Sequence, residues 1–213
     1  MFGINMRIEY DGFGVALRPL SKADLPVLVE HFNSMKIHYY TQGLFAQTLE
    51  NETEWYEKKR KEETSCLWGI VPDGSEVAVG ITEIHGINTH GSCETGFIIW
   101  DTSWWDKGVA TRSHLGRTLF ASDYLNRLTI RSSARVENGG SVNALTRVGY
   151  VKTGVEPRTY FRAGRFLDTQ LFCWLNPERI GILFPEGLPS QYEDGVQKAQ
   201  VALTKARQVV SFP

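Results

Sequence analysis

The sequence predicts an α/β protein: a mixed, mostly antiparallel sheet with helices on both faces, plus one C-terminal helix. Three observations lead there. Between residues 66 and 100, three β-rich runs are separated by the turn signals Pro72-Asp73-Gly74 and Asn88-Thr89-His90-Gly91, the pattern of an antiparallel meander. Beyond residue 100 the apolar spacing alternates between helical and extended, so helices there cover a sheet. A composition of 42% hydrophobic, 12% aromatic and 22% charged residues over 213 positions is enough to bury a core.

Along the chain, residues 14–20 (GVALRPL) read as a short strand. Ser21-Lys22-Ala23-Asp24 supplies an N-cap ahead of Leu25, Leu28, Val29 and Phe32, an apolar face at helical spacing. Residues 48–63 are highly charged, with Trp55 and Tyr56 as apolar anchors, and read as a largely solvated helix. The meander strands are residues 66–71 (CLWGIV), 76–87 (EVAVGITEIHGI) and 92–100 (SCETGFIIW). In residues 109–125, Leu115 and Leu119, and Phe120 and Tyr124, fall four apart as in a helix, and Gly116 allows that helix to approach a sheet closely. A strand at 127–136 is followed by a short helix at 141–148, built on Val142, Leu145 and Val148 and ended by Gly149. Residues 150–154 and 166–175 read as closing strands.

From Asn176 the character changes. Pro177, Pro185 and Pro189 with Gly181 and Gly187 mark a linker, and Ser190-x-x-Glu193 is a capping-box pattern before Val196, Ala199, Ala202, Leu203, Ala206, Val209 and Val210. The chain therefore divides into a domain over 1–175 and a linker with an amphipathic helix over 176–213. The apolar stripe of that helix has to be buried on the domain itself, in a dimer contact, or as a lid near a substrate.

Lys and Arg total 23 against 24 Asp and Glu, a formal net charge of −1, so nothing global attracts nucleic acid or an anionic membrane. A polyanionic ligand needs a local site. No apolar run nears the ~20 residues of a membrane span, and the first ten residues lack a basic stretch leading into an apolar one, so the expected location is cytoplasmic. Cys66, Cys93 and Cys173 are odd in number and set in apolar surroundings, and read as reduced core residues. The five His lack ligand spacing, so no metal is expected.

Chemistry concentrates in Trp105-Asp106-Lys107-Gly108-Val109-Ala110-Thr111, between a strand and a helix. Small residues at 108 and 110 let backbone N–H groups reach a ligand, and the helix adds its N-terminal dipole, so the segment suits a pyrophosphate. By itself a strand-to-helix turn with one Gly is equally an ordinary tight turn. One strand further on stands Asn138-Gly139-Gly140-Ser141-x-x-x-Leu145-x-x-x-Gly149-Tyr150. Together the two segments resemble the GNAT superfamily of acyl-coenzyme A dependent N-acyltransferases, whose loop reads Gln/Arg-x-x-Gly-x-Gly/Ala and whose next helix opens with Asn-x-x-Ser and ends in Gly-Phe or Gly-Tyr. Glu94-Thr95-Gly96-Phe97-Ile98-Ile99 is similar to that family's fourth strand. Residues 154–172 are similar to the last strands of the branch that includes the ribosomal-protein N-terminal acetyltransferases. The resemblance spans residues 14–175. Two residues depart from the pattern: Trp105 stands where Gln or Arg is usual, and Asp106 brings a negative charge that has to point away from phosphate, with Lys107, Arg112 and Arg147 available to compensate.

The resemblance implies direct transfer of an acyl group, most simply acetyl, from acetyl-CoA to a primary amine in a ternary complex. An alkyl amine arrives protonated at neutral pH, so a base is required. Glu94 is the first candidate and Glu83, on the neighbouring strand, the second; each could equally be a carboxylate satisfied by a cation or at a strand edge. A backbone N–H among Phe97, Ile98, Ile99 and Trp100 is expected to face the thioester carbonyl. Ser141 is expected to donate to the departing thiolate and Asn138 to bond the pantetheine amide, or else the two are a first-turn polar residue and a helix cap. The loop residues Trp105, Asp106, Lys107, Gly108, Val109, Ala110 and Thr111 complete the coenzyme A contacts. Cys93 has no adjacent base to make it a nucleophile. The cluster Trp100, Trp104 and Trp105 either walls the pocket or packs, and His38-Tyr39-Tyr40 and Tyr160-Phe161 fall near the acceptor opening. The acceptor is a small-molecule amine or a protein N-terminus, no nucleic-acid or membrane partner is expected, and a homodimer is compatible with the sequence. The rival reading is a non-catalytic acyl-CoA binding or regulatory module on the same fold, keeping the loop without a working base.

Overall fold

The turn signals do bring the β-rich runs together, and a computed structural model describes residues 1–41, 43 and 45–213 of the result. Strands β1 (Met6–Tyr10), β2 (Phe13–Arg18), β3 (Cys66–Pro72), β4 (Gly80–His85) and β5 (Ser92–Ile99) form one antiparallel run. β6 (Thr129–Arg135) then joins β5 in parallel, and the hairpin β7 (Val151–Arg162) and β8 (Arg165–Leu175) closes that side, β8 lying against β6. A two-residue strand, β9 (Val210–Ser211), pairs with β1 at the opposite edge. The order is β7-β8-β6-β5-β4-β3-β2-β1-β9. This is the mixed, mostly antiparallel sheet the sequence predicts.

The run at 76–87 forms a strand only over Gly80–His85, and Val210 leaves the terminal helix for β9. Two further elements, β1 and β7, differ from expectation for physical reasons. β1 went unpredicted, although Met6 and Ile8 are buried while Arg7 and Glu9 are not, a period-2 pattern. Asp11 (φ 52°) and Gly12 (φ 69°) turn it into β2 through the left-handed conformation that a two-residue hairpin requires. β7 runs to Arg162, well beyond residue 154, and returns through Ala163 (φ 47°) and Gly164 (φ 79°). Its middle is mostly exposed, so no apolar face announces it.

Alternation sends neighbouring side chains to opposite faces of the sheet. Helices α1 (Leu25–Phe32), the single turn α2 (Met35–His38) and α3 (Leu49–Lys61) cover one face, where Leu20, Leu25, Leu28, Leu67 and Trp100 are buried together. Asp24 anchors this layer: it takes Arg18 Nη2 (2.7 Å), Ser21 N–H (2.8 Å) and Ala78 N–H (3.1 Å). Burial pushes its carboxyl up, but these hydrogen bonds outweigh that and hold it at about 2.

Helices α4 (Val109–Leu119), which runs on into a π turn at Phe120–Tyr124, α5 (Gly139–Arg147) and α7 (Ser190–Val209) cover the other face; a short α6 (Ile180–Leu183) lies in the connection. Gly116 does permit close approach, since a Cβ there would lie 2.7 Å from Ile8 Cδ1. α7 packs with Ala199, Ala202, Leu203 and Ala206 buried in the same core as α4, so its stripe is covered by the chain's own helices and β1. It starts at Ser190 with Pro189 at the N-cap and no capping side chain, so Ser190 is the first helical residue and not the cap. Among the described residues no helix is long and apolar enough to cross a membrane.

Candidate functional site

The sheet splits where the parallel pairing of β5 with β6 ends. β5 and β6 are in register only over Ser92, Cys93 and Glu94 against Thr129, Ile130 and Arg131, and beyond Glu94 the strands part. The gap opens into a cleft of about 1480 Å³, lined by β5, β6, the loop before α4 and the start of α5. Backbone direction along the free edge follows from two contacts: Trp100 N–H donates to Val79 C=O on the β4 side (3.0 Å), while Ile99 C=O accepts Trp105 Nε1 (3.0 Å). Since successive residues of a strand turn their N–H and C=O to opposite sides, Ile99 and, two residues back, Phe97 present theirs to the gap. Beneath them, the fully buried Arg117 of α4 donates Nη1 to Thr82 Oγ1 (3.0 Å) and to Gly96 C=O (3.2 Å), tying α4 to β5 where β5 leaves its neighbour. His114, one turn earlier, packs tilted against Phe97 with ring centroids 4.4 Å apart, and burial, then Arg117, hold its imidazole well below the usual range.

At the mouth of the gap, Asp106 (φ 59°) and Gly108 (φ 75°) both adopt the left-handed conformation and swing the chain into α4. Gly108 is the N-cap and offers no side chain, and the first intrahelical bond runs from Arg112 N–H to Gly108 C=O (3.2 Å). The N–H groups of Val109, Ala110 and Thr111 therefore lack helical acceptors, and all three residues line the cleft. Three free amides at a helix N-terminus make an anion site. Asp106 is exposed but itself lines the cleft, at the mouth and not clear of it, and of the three compensating cations only Arg147 lines the cleft. Arg112 spends its donors on the carbonyls of Tyr10 (2.9 Å), Phe13 (3.2 Å) and Gly108 (3.4 Å). Lys107 lies over the Trp104 ring at 5.0 Å and is outside the cleft lining.

Of the two carboxylates, Glu94 is exposed and lines the cleft, flanked in register by His85 on β4 and Arg131 on β6. Glu83 also lines it but is tied to Lys59 of α3, with Nζ–Oε1 at 2.5 Å. Burial lowers the Lys59 ammonium, yet its bonds to Glu62 and Glu83 leave it raised. Glu83 is thus a carboxylate satisfied by a cation, the alternative weighed for it above. Ser141 lines the cleft; Asn138 does too, and its Oδ1 caps α5 by accepting Ser141 N–H at 3.1 Å, leaving its amide nitrogen for other partners. Phe97, Ile98, Ile99, Trp105 and Gly108 also reach the cleft, but Trp100 does not: its side chain is buried on the α1 face and its N–H is held by Val79. Cys93 is buried and its thiol is pushed up to about 11 by burial, a poor nucleophile. Of the aromatic residues singled out in the sequence, Tyr40 and Tyr160 line the cleft and His38, Tyr39 and Phe161 do not; His85, Arg131 and Arg135, which the sequence did not single out, line it too. Only the alternation of His85 with Glu83 on one strand face could have flagged that histidine.

Residues 15–151 match the family model for an acetyltransferase (GNAT) domain. No curated protein matches the chain. Among solved structures, spermidine N-acetyltransferase from Vibrio cholerae in complex with CoA and spermine is similar at 24% identity and a TM-score of 0.67, covering 76% of this chain and 95% of that one. Mycobacterium smegmatis RimJ in complex with CoA-disulfide is similar at 18% identity and a TM-score of 0.69, covering 98% of this chain and 95% of that one. At such identities the likeness concerns the fold.

Proposed function

Because the chain belongs to the GNAT acetyltransferase family, we propose that it transfers an acetyl group from acetyl-CoA to a primary amine, a small-molecule amine or a protein N-terminus, by direct attack in a ternary complex. The observation that carries this reading is the juxtaposition of the uncapped α4 N-terminus with the unpaired edge of β5 in one cleft. The amides of residues 109–111 suit the pyrophosphate, and the N–H of Phe97 or Ile99 suits the carbonyl oxygen on which charge develops. Acetyl-CoA supplies an activated acyl carbon and a thiolate leaving group.

Glu94 is the base of this proposal, receiving the ammonium proton directly or through water, because it is free in the cleft whereas Glu83 is tied to Lys59. Once deprotonated, the amine nitrogen attacks the acyl carbon and the C–S bond breaks. Ser141 Oγ, at the start of α5, donates a hydrogen bond to the departing sulfur. A binding module without turnover would need the same loop but no free carboxylate, and Glu94 favours the enzyme.

Titration calorimetry with coenzyme A and acetyl-CoA, with melting temperature read alongside, tests the cofactor; thiol release over a panel of polyamines, amino sugars and N-terminal peptides tests the reaction. Binding with thiol release on at least one amine is expected. Absence of binding at millimolar ligand would refute the assignment, and binding without turnover on any amine would leave the module reading.

A further inference from the structure

On β6, Ile130 and Ala134 are buried in the core under α4, so alternation turns Arg131, Ser133 and Arg135 to the opposite face, the one covered by α1, α2 and α3. Arg135 lines the cleft there and is only 6% exposed. Among the described residues no carboxylate lies within salt-bridge distance of it. Glu137 and Glu156 also line the cleft, but both are exposed. Of the three guanidinium nitrogens of Arg135, only Nη2 has a partner among the described residues, the Thr41 carbonyl at 3.3 Å, and Nε is buried without one. Arg162 Nη2 donates to the same Thr41 oxygen at 3.2 Å, so two guanidiniums share one neutral acceptor. The ring of Tyr160 lies against the Arg135 guanidinium. Burial lowers the pKa of that group, Tyr160 opposes this, and Arg162 lowers it further. A buried charge is ordinarily paired, because desolvating it alone is costly. An anion entering the cleft supplies the missing partner.

We propose that Arg135 binds a carboxylate of the acceptor, so that the amine acetylated here belongs to a molecule of the amino-acid type, its amino group toward Glu94 and its acid group toward the far end of β6. This rests on the acetyl-transfer reading of the cleft and names the substrate class of that site. The cofactor's phosphates are placed elsewhere, since the amides proposed for them open α4, on the other face of the sheet. Arg131 is in register with Glu94, and Arg135 is four residues further along β6, about 13 Å at the rise of a strand. With the side-chain lengths of Glu94 and Arg135 taken off that distance, a carboxylate several bonds from the amine spans the rest. A planar guanidinium fork matches the two oxygens of a carboxylate, whereas a polyamine brings a further cation to a cation that is already unpaired.

Thiol release from acetyl-CoA, measured with glycylglycine, 4-aminobutanoate and 6-aminohexanoate, each against its amide, tests this; the amide keeps the amine and the chain and removes only the charge. The diamine 1,4-diaminobutane serves as the polyamine arm. Wild type is expected to favour the acid over its amide by about tenfold or more in kcat/KM for at least one pair, chiefly through KM, the size of one charge-assisted contact. Arg135→Met should bring that ratio to within about twofold of unity, and Arg135→Lys, which keeps the charge without the fork, should retain part of the preference. Removing an unpaired buried charge should leave Arg135→Met at least as stable as wild type by melting temperature, and if it does not fold, the wild-type pairs and Arg135→Lys still decide. Equal rates on every acid and its amide in wild type, transfer to the diamine alone, or a folded Arg135→Met that keeps the preference overturns the carboxylate site and leaves the acetyl-transfer reading standing. If wild type releases thiol with none of these amines nor with any of the wider panel, the acetyl-transfer reading falls and this one with it.

Discussion

Gly149 is the point at which the sequence lets α7 dock, and replacing it with alanine tests how the C-terminal helix is held. Its φ is +88°, and a Cβ built there would lie 2.3 Å from Ala199 N, 2.4 Å from Ala199 Cα and 2.6 Å from Ala199 Cβ. None of these atoms can rotate away, so α7 has to shift by about 1 Å to restore ordinary contact. That shift loosens Ala199, Ala202, Leu203 and Ala206, each at most 8% exposed. Left-handed strain at a residue with a Cβ costs about 1–2 kcal/mol and overpacking about 1–3 kcal/mol, which together suggest a loss of roughly 3 kcal/mol. For a domain of this size that lowers the melting temperature by roughly 6–12 °C. Gly139→Ala is the matched control for stability. A Cβ there meets nothing within 4 Å, and a Gly to Ala change in the first turn of α5 should leave stability unchanged or raise it by up to about 1 kcal/mol. Thermal unfolding followed by circular dichroism, with hydrogen exchange over residues 190–209, reads both. A melting temperature for Gly149→Ala within about 2 °C of wild type, or an equal fall in Gly139→Ala, would refute the reasoning.

Gly108→Asp puts a carboxylate at the N-cap of α4, where phosphate is proposed to sit, and should weaken coenzyme A binding at least about tenfold in a folded protein; calorimetry with unchanged affinity would show the loop to be only a turn. Glu94→Gln should retain coenzyme A affinity and lower kcat/KM by about 10²-fold at neutral pH, with the defect shrinking as pH approaches the acceptor's own pKa; loss in Glu83→Gln alone would move the role to β4. Asp24, held at about 2 against an ordinary 3.8, contributes about 2 kcal/mol that is fully present above the unfolded value and lost as pH falls through about 2. Urea unfolding should therefore show Asp24→Asn less stable than wild type at pH 7, with the gap closing between about pH 4 and 2; a gap that is constant over that range would contradict the linkage.

Residues 105–111 and 138–150 carried their meaning in the sequence because what they require is local. A left-handed turn needs glycine at 108, free amides need a helix start without a capping side chain, and a sharp end to α5 needs glycine at 149. The meander was legible for the same reason, since period-2 runs and turn residues are properties of adjacent positions. β7 was not, because a strand exposed along its middle has no apolar face to display.

What only the tertiary structure decided depends on distance along the chain. The pairing of Lys59 with Glu83 joins residues 24 apart, and it separates two carboxylates that the sequence could only rank. Lys205 and Arg112 share the ring of Tyr10, although Tyr10 and Lys205 come from opposite ends of the chain and Arg112 from its middle. Trp100 sits between residues bound for the cleft, yet alternation and a backbone bond to Val79 turn it to the other face. Local pattern determines which elements form and where a ligand-shaped loop begins. The partners of each side chain are set by sheet order and helix docking, which close only when the whole core packs.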